Sequence, residues 1–199
     1  MWTMLFDGTL DGWRMSTIAN QPGRDDPGAF TIVDGALVPR LGNDLGLLWH
    51  TTPTPPDFEL SLEFAQETLA SNSGVFVRFP DLDSKGYDNT AFVAVDFGFE
   101  IQIDGLGAPD GAPHHTTGAI YNALDQEHSL VPARSPGDWN EYVITVIEQT
   151  YTVQLNGTQT TRFVNQDSAR GHDAVAFIGL QVHPGDGNVR FRNVRIRPR

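Results

Sequence analysis

The chain has 199 residues and no cysteine, and its 25 acidic against 13 basic side chains give a formal net charge of -12 at pH 7. These counts exclude a disulfide scaffold, a cysteine-ligated metal and a thiol nucleophile, and the negative charge argues against nucleic acid as a partner. At this length roughly 70% of the unfolded surface can be buried, so one domain over residues 1–199 is expected, and no apolar run is long enough for a membrane span.

The start, Met1 to Asp7, has neither the basic n-region nor the unbroken apolar h-region of a signal peptide. A cytoplasmic protein is expected, or an exported one whose leader has been removed. Downstream, the dominant pattern is two-residue alternation in short runs broken by Gly, Pro, Asn and Asp, which predicts half-buried strands. In Asp57–Phe64, Phe58, Leu60, Leu62 and Phe64 share one face and Glu59, Ser61 and Glu63 the other. Ala65–Ser71 is the one stretch read as a turn or two of helix, ended by Asn72-Ser73-Gly74. Gly74–Phe79 sets Val75, Val77 and Phe79 against Phe76 and Arg78, turning Arg78 away from the core, and Ala91–Phe97 reads as another β run. Tyr142–Ile147 and Tyr151–Leu155 form a hairpin pattern around Glu148-Gln149-Thr150, and Asn156-Gly157 is a strong two-residue turn signal. Strands over Ala174–Val182 and Val189–Ile196 complete the set. The arginines of the last run (Arg190, Arg192, Arg195, Arg197 and Arg199) read as its solvated face. The pattern predicts an all-β fold, a two-sheet antiparallel jelly-roll sandwich. The loops Ile18–Gly28, Pro80–Thr90, Gly105–Thr116 and Leu124–Gly137 would rim its binding surface.

Within that frame the run Phe99–Asp104 is the most informative. It puts Phe99, Ile101 and Ile103 on one face and Glu100, Gln102 and Asp104 on the other. Alternate residues on a strand lie about 6.5 to 7 Å apart, so such groups reach different atoms of one sugar ring. Alternation alone describes any solvated strand face, and two other runs add to it. Gly179, Gln181 and His183 share a face, with Gly179 at a point where backbone could meet a ligand, and Arg78 projects from a third strand. If these strands are neighbours, Glu100, Gln102, Asp104, Gln181, His183 and Arg78 converge on one polar concavity. Tyr121 and His114 are further candidates for ligand contact, and Trp13, Trp49 and Trp139 for stacking, although large aromatics more often pack in or beside the core. Adjacent imidazoles at His114 and His115 point apart, so no cofactor is expected, a divalent metal being the alternative. Walker, dinucleotide, Gly-x-Ser-x-Gly and His-Glu-x-x-His motifs do not occur.

Eight segments in order, from Leu5-Phe6-Asp7-Gly8 with Gly12-Trp13, through Asp57-Phe58-Glu59-Leu60, Asn72–Arg78, Phe99–Asp104, Thr117–Tyr121, Gly137–Asn140 and Leu155-Asn156-Gly157, to Ile178–His183 with Phe191–Val194, resemble the 3-keto-disaccharide hydrolase family over essentially the whole chain. The resemblance implies a concanavalin-like or laminarinase-like jelly roll acting on glycosides already oxidised at C3. It also implies Glu100 and His183 as an acid and base pair of undecided order and Arg78 on the keto or enolate oxygen. Gln102, Asp104 and Gln181 would hold hydroxyls, with a C3-oxidised carbohydrate as partner. Two other readings stand beside it. A conventional laminarinase-like hydrolase would need a carboxylate pair, yet Glu100 and Asp104 would lie about 13 Å apart on an ideal strand, against about 5 to 5.5 Å for retention. A non-catalytic carbohydrate-binding module would need the polar face and aromatic residues but no titratable pair. Oligomeric state is not readable.

Overall fold

The computed structural model describes residues 1–199. It contains two antiparallel sheets packed face to face, an all-β sandwich as the alternation predicts. The larger sheet runs in the order β3 (Ala29–Val33), β4 (Ala36–Arg40), β14 (Val189–Pro198), β6 (Phe58–Gln66), β10 (Asn140–Ile147), β11 (Thr150–Leu155), β12 (Thr158–Val164) and β9 (Glu127–His128), with β1 (Thr3–Met4) paired to β14. The smaller runs β2 (Trp13–Met15), β5 (Gly46–His50), β13 (Phe177–Val182), β7 (Ser73–Phe79) and β8 (Phe99–Ile103). No helix is long and apolar enough to cross a membrane.

Period-two burial builds the core. Phe58, Leu60, Leu62 and Phe64 of β6 meet Val75 and Val77 of β7, Ile101 and Ile103 of β8, and Ile178 and Leu180 of β13 in one cluster. Tyr142 of β10 spans the layer, and its hydroxyl donates to the Gln102 carbonyl at 2.6 Å, tying the edge strand β8 to the opposite sheet. On the outer face of the large sheet the arginines of β14 meet carboxylates in register: Arg192 pairs with Glu63 at 2.5 Å, and Arg197 and, just beyond the strand, Arg199 both pair with Glu59. Arg192 also lies over the Trp139 ring, 4.0 Å from its centroid. The terminal basic run is therefore the solvated face of a strand whose charges are matched by its neighbours.

Two expected elements differ. Ala65 and Gln66 extend β6, because they pair with Arg190 and Val189 of β14, and the chain then turns, closed by the Gln66 amide donating to the Ser71 carbonyl at 2.9 Å. Ala91–Phe97 is not a strand but a helix, α1. Asn89 starts it by accepting from the Ala91 N–H at 3.0 Å while its own amide donates to the Leu45 carbonyl at 3.0 Å, and Gly98 ends it. Its buried Ala91, Val93 and Ala94 join Leu47, Trp49, Phe76 and Phe79 in a second apolar cluster. Since Phe76 pairs across the ladder with Glu100 and Gly179, this cluster sits on the outer face of the small sheet.

Removing the Tyr142 hydroxyl tests the tie between the sheets. Tyr142→Phe is expected to cost about 1 kcal/mol, seen as a lower urea midpoint with an unchanged slope; an unaltered midpoint would show that the bond contributes nothing.

Candidate active site

The part of the small sheet's outer face that α1 leaves open is a cleft of about 260 Å³. Glu100 and Gln102 of β8, Gln181 of β13 and His183 just beyond it line this cleft together with Tyr121. Phe92 and Val95 of α1 and the loop residues Asp44 and Asn72 complete its walls. Size does not single it out, for hollows of about 260 and about 400 Å³ lie elsewhere on the surface. Neither of those is lined by a histidine.

Glu100 is the chemical centre. One side of it opens to the cleft, while its carboxyl is packed closely by protein. The reason is Gly74, on the neighbouring strand: a Cβ built there would lie 2.1 Å from Glu100 Oε1 and 2.6 Å from Cγ. The missing side chain makes the space the carboxyl occupies. Burial pushes the Glu100 pKa up to about 8, opposed in part by a hydrogen bond from Gln181. The Gln102 amide satisfies both its ends when its nitrogen donates to the Ser73 carbonyl at 3.0 Å and to Glu100 Oε1 at 3.2 Å. No guanidinium or ammonium touches this carboxyl. The buried Gln181 Oε1 has no partner within the protein.

His183 is half-buried, and its Nδ1 is hydrogen-bonded to Asp186 Oδ1. A carboxylate accepting at Nδ1 fixes the tautomer, leaving Nε2, which has no protein partner, as the free lone pair. Tyr121 is brought beside Glu100 by a short ladder: its N–H donates to the Glu100 carbonyl at 2.9 Å, and the Gln102 N–H donates to Ala119 at 2.9 Å. Burial first, then the charges of Glu100, Asp110 and Asp104, raise the Tyr121 pKa, so its phenol keeps its proton.

Three expected site residues stand elsewhere. Arg78 falls at a bulge where the pairing of β7 with β13 slips, has φ of +60°, and runs to the end of the sandwich. There its guanidinium donates to the carbonyls of Pro56 and Glu148, 3.8 Å from Asp57. Asp104, one residue past the last ladder pair of β8, turns back to accept the N–H groups of Leu106, Gly107 and Ala108 at 2.8, 3.0 and 2.8 Å, anchoring its own loop. His114 does not line the cleft; its ring lies edge-on to that of His115, centroids 4.2 Å apart. Gly179 offers no open backbone either, because Leu47 covers it. Trp13 and Trp49 are buried, and Trp139 lies under Arg190 and Arg192. Conversely, two-residue alternation gives no site role to Asp186, Asn72, Gly74 or the α1 wall. Only Asp186 carries a local signal, three residues after His183. No three His, Asp or Glu side chains gather in the arrangement of a metal site.

The space over Gly74 can be tested directly. Gly74→Ala is expected to destabilise the fold by about 1–3 kcal/mol through overpacking, and Glu100→Ala in the same chain to recover most of that loss; no recovery would mean that the methyl group clashes with something other than the carboxyl.

Among solved structures, the chain is similar to a candidate glycosyl hydrolase from Parabacteroides distasonis, at 25% identity with all of both chains covered and a TM-score of 0.72. It is also similar in fold to a Bacillus subtilis protein of unknown function with a galectin-like fold, at 12% identity over 100% of this chain and 94% of that one, TM-score 0.68. A carbohydrate-binding module from Bacillus subtilis matches at 11% identity over 92% and 93% of the two chains, TM-score 0.55. No curated protein matches the sequence. The sequence family described as the 3-keto-alpha-glucoside-1,2-lyase-like domain matches over residues 1–197, and the chain belongs to that family.

Proposed function

We propose that this cleft cleaves glycosides already oxidised to a ketone at C3, by elimination rather than through an oxocarbenium ion. The ketone acidifies the proton at C2. A base that removes it leaves an enolate; as the C3 carbonyl re-forms, a double bond forms between C1 and C2, the C1–O bond breaks, and an acid protonates the departing oxygen. The products are the free alcohol and an unsaturated keto sugar, and adding water across the new double bond completes net hydrolysis.

The observation that carries this reading is one cleft holding a carboxyl with a pKa near 8 and an imidazole oriented by a carboxylate. Glu100, largely protonated at neutral pH, suits the acid that delivers a proton to the leaving oxygen. His183, with Nδ1 bonded to Asp186, suits the base at C2 through Nε2. Arg78 is remote from the cleft, so the enolate oxygen falls to the Tyr121 hydroxyl, a donor that retains its proton. The Gln181 and Asn72 amides, which line the cleft, are suited to sugar hydroxyls. Family membership and the Parabacteroides glycosyl hydrolase candidate support a carbohydrate substrate. A conventional retaining mechanism on Glu100 and Asp104 loses support, since Asp104 is taken up by its own loop.

The test is to incubate the protein with a 3-keto-disaccharide and with its unoxidised parent. Selective release of product from the ketone is expected, with Glu100→Gln and His183→Ala each lowering turnover at least about 100-fold while sugar affinity is retained. Equal turnover of both substrates would favour a conventional hydrolase, and binding without turnover a lectin-like module. Activity is expected to decline as pH rises through about 8, where Glu100 loses its proton. The same group acts on stability. Its folded pKa lies above the ordinary 4.5, so its contribution is fully present below that pH and is lost on going up to about 8. In Glu100→Gln that loss should vanish in denaturation curves taken across the same range; an identical pH dependence would mean that the carboxyl titrates normally.

A further inference from the structure

The cleft is backed by a histidine that the proposed chemistry does not use. His115 is buried at the end of a short 3-10 turn, Pro113–His115, in the loop after β8. Its Nδ1 lies 2.8 Å from Asp110 Oδ1 and its Nε2 2.8 Å from Asn122 Oδ1. Asp110 accepts at Nδ1, and the Asn122 side chain meets Nε2 either as an acceptor from an imidazolium or, with its amide turned, as a donor to the neutral ring, so both bonds hold the ring in either state. The ring also packs on the Tyr121 ring, with centroids 4.9 Å apart and planes inclined by 34°. Asn122 directly follows Tyr121, holds a φ of +61°, and donates its N–H to the His114 carbonyl at 3.3 Å. His115 therefore holds the Tyr121–Asn122 corner twice, by ring contact and by hydrogen bond.

We propose that His115, hydrogen-bonded between Asp110 and Asn122 and packed on the Tyr121 ring, is the positioning residue that fixes the Tyr121 phenol in the cleft. The inference rests on the reading of Tyr121 as the donor to substrate. Of the charged and titratable groups around it, Asp110 from its own loop and Asp104 from the end of β8 favour a cation, whereas the neighbouring His114, its ring centroid 4.2 Å away, opposes one when protonated. Burial alone would depress the His115 pKa, but the bonds to Asn122 and Asp110 and the charges of Asp110 and Asp104 outweigh it and leave it raised. Loss of either partner frees the ring and, with it, the corner that carries the phenol.

Two measurements test this. In the full-length protein with nitrogen-labelled histidine rings, the His115 resonances, assigned by their loss in His115→Gln, should titrate with a midpoint above that of an ordinary histidine. Asp110→Asn should lower the midpoint of that titration by about one pH unit and shift the Tyr121 ring signals. A His115 midpoint at or below that of an ordinary histidine, or Tyr121 signals indifferent to its titration, would overturn the proposal whether or not any keto-glycoside is turned over. With a 3-keto-disaccharide as substrate, Asn122→Ala is expected to lower kcat about tenfold with little change in KM. In a Tyr121→Phe background the same substitution should have almost no further effect. Additive losses would mean that His115 and Asn122 act on stability or substrate directly and not through Tyr121. Absence of turnover with a positive ring titration would instead count against the proposed reaction and leave the positioning role standing.

Discussion

Desolvation of one carboxyl is the constraint on which the cleft depends. Glu100 is carried by an edge strand, where a polar face would ordinarily meet water. Here α1 covers one part of the sheet, Tyr121 is brought alongside by the 118–121 ladder, and the absent side chain of Gly74 draws the carboxyl down onto the backbone of β7. The donors that remain to it are amides, which soften the cost of ionisation without cancelling it. A cation at this point would have held the group ionised and unable to serve as an acid at neutral pH.

Glu59 shows what the alternative looks like in the same fold. It is also buried, but Arg197 of β14 and Arg199 just beyond that strand both reach it. Cations and carboxylates on the back of the large sheet are matched in register, whereas the cleft on the small sheet is lined by an acid, an imidazole and amides with no arginine. The placement of Arg78 completes this separation. The bulge that turns it aside uses the guanidinium to fasten the Pro56 and Glu148 loops at the far end of the sandwich. A residue whose type suggests oxyanion stabilisation is thereby a strut.

How far these arrangements can be read from sequence depends on how local their causes are. The inward faces of β6, β8 and β10 and the Asn156-Gly157 turn follow from two-residue periodicity, and so does the shared face of Glu100 and Gln102. The helix does not, because Ala91–Phe97 is apolar at nearly every position and suits either period; what decides it is Asn89, pinned to Leu45 from a distant segment. Alternation places Arg78 correctly until a single-residue slip against β13 changes its direction, and nothing in Phe76–Phe79 announces that slip. Asp104 obeys the alternation in number but lies beyond the last pair of the ladder, where backbone amides of its own loop are the nearer partners. Of two adjacent histidines, the one that matters for Tyr121 is chosen by Asp110 and Asn122, on opposite sides of it in the chain. Gly74 and Gly179 look equivalent as strand glycines, yet one accommodates a carboxyl and the other a leucine.

The position of β14 has an implication for how the molecule is made. This strand, the last of the fold, lies inside the large sheet between β4 and β6, and it also pairs with β1. Strands β3, β4 and β6 emerge from the ribosome long before the segment that must separate them, so the layer cannot zip up progressively during synthesis. Until residues as far as Pro198 are available, β6 exposes a bare edge studded with Glu59 and Glu63, whose mutual repulsion discourages premature strand pairing with other nascent copies.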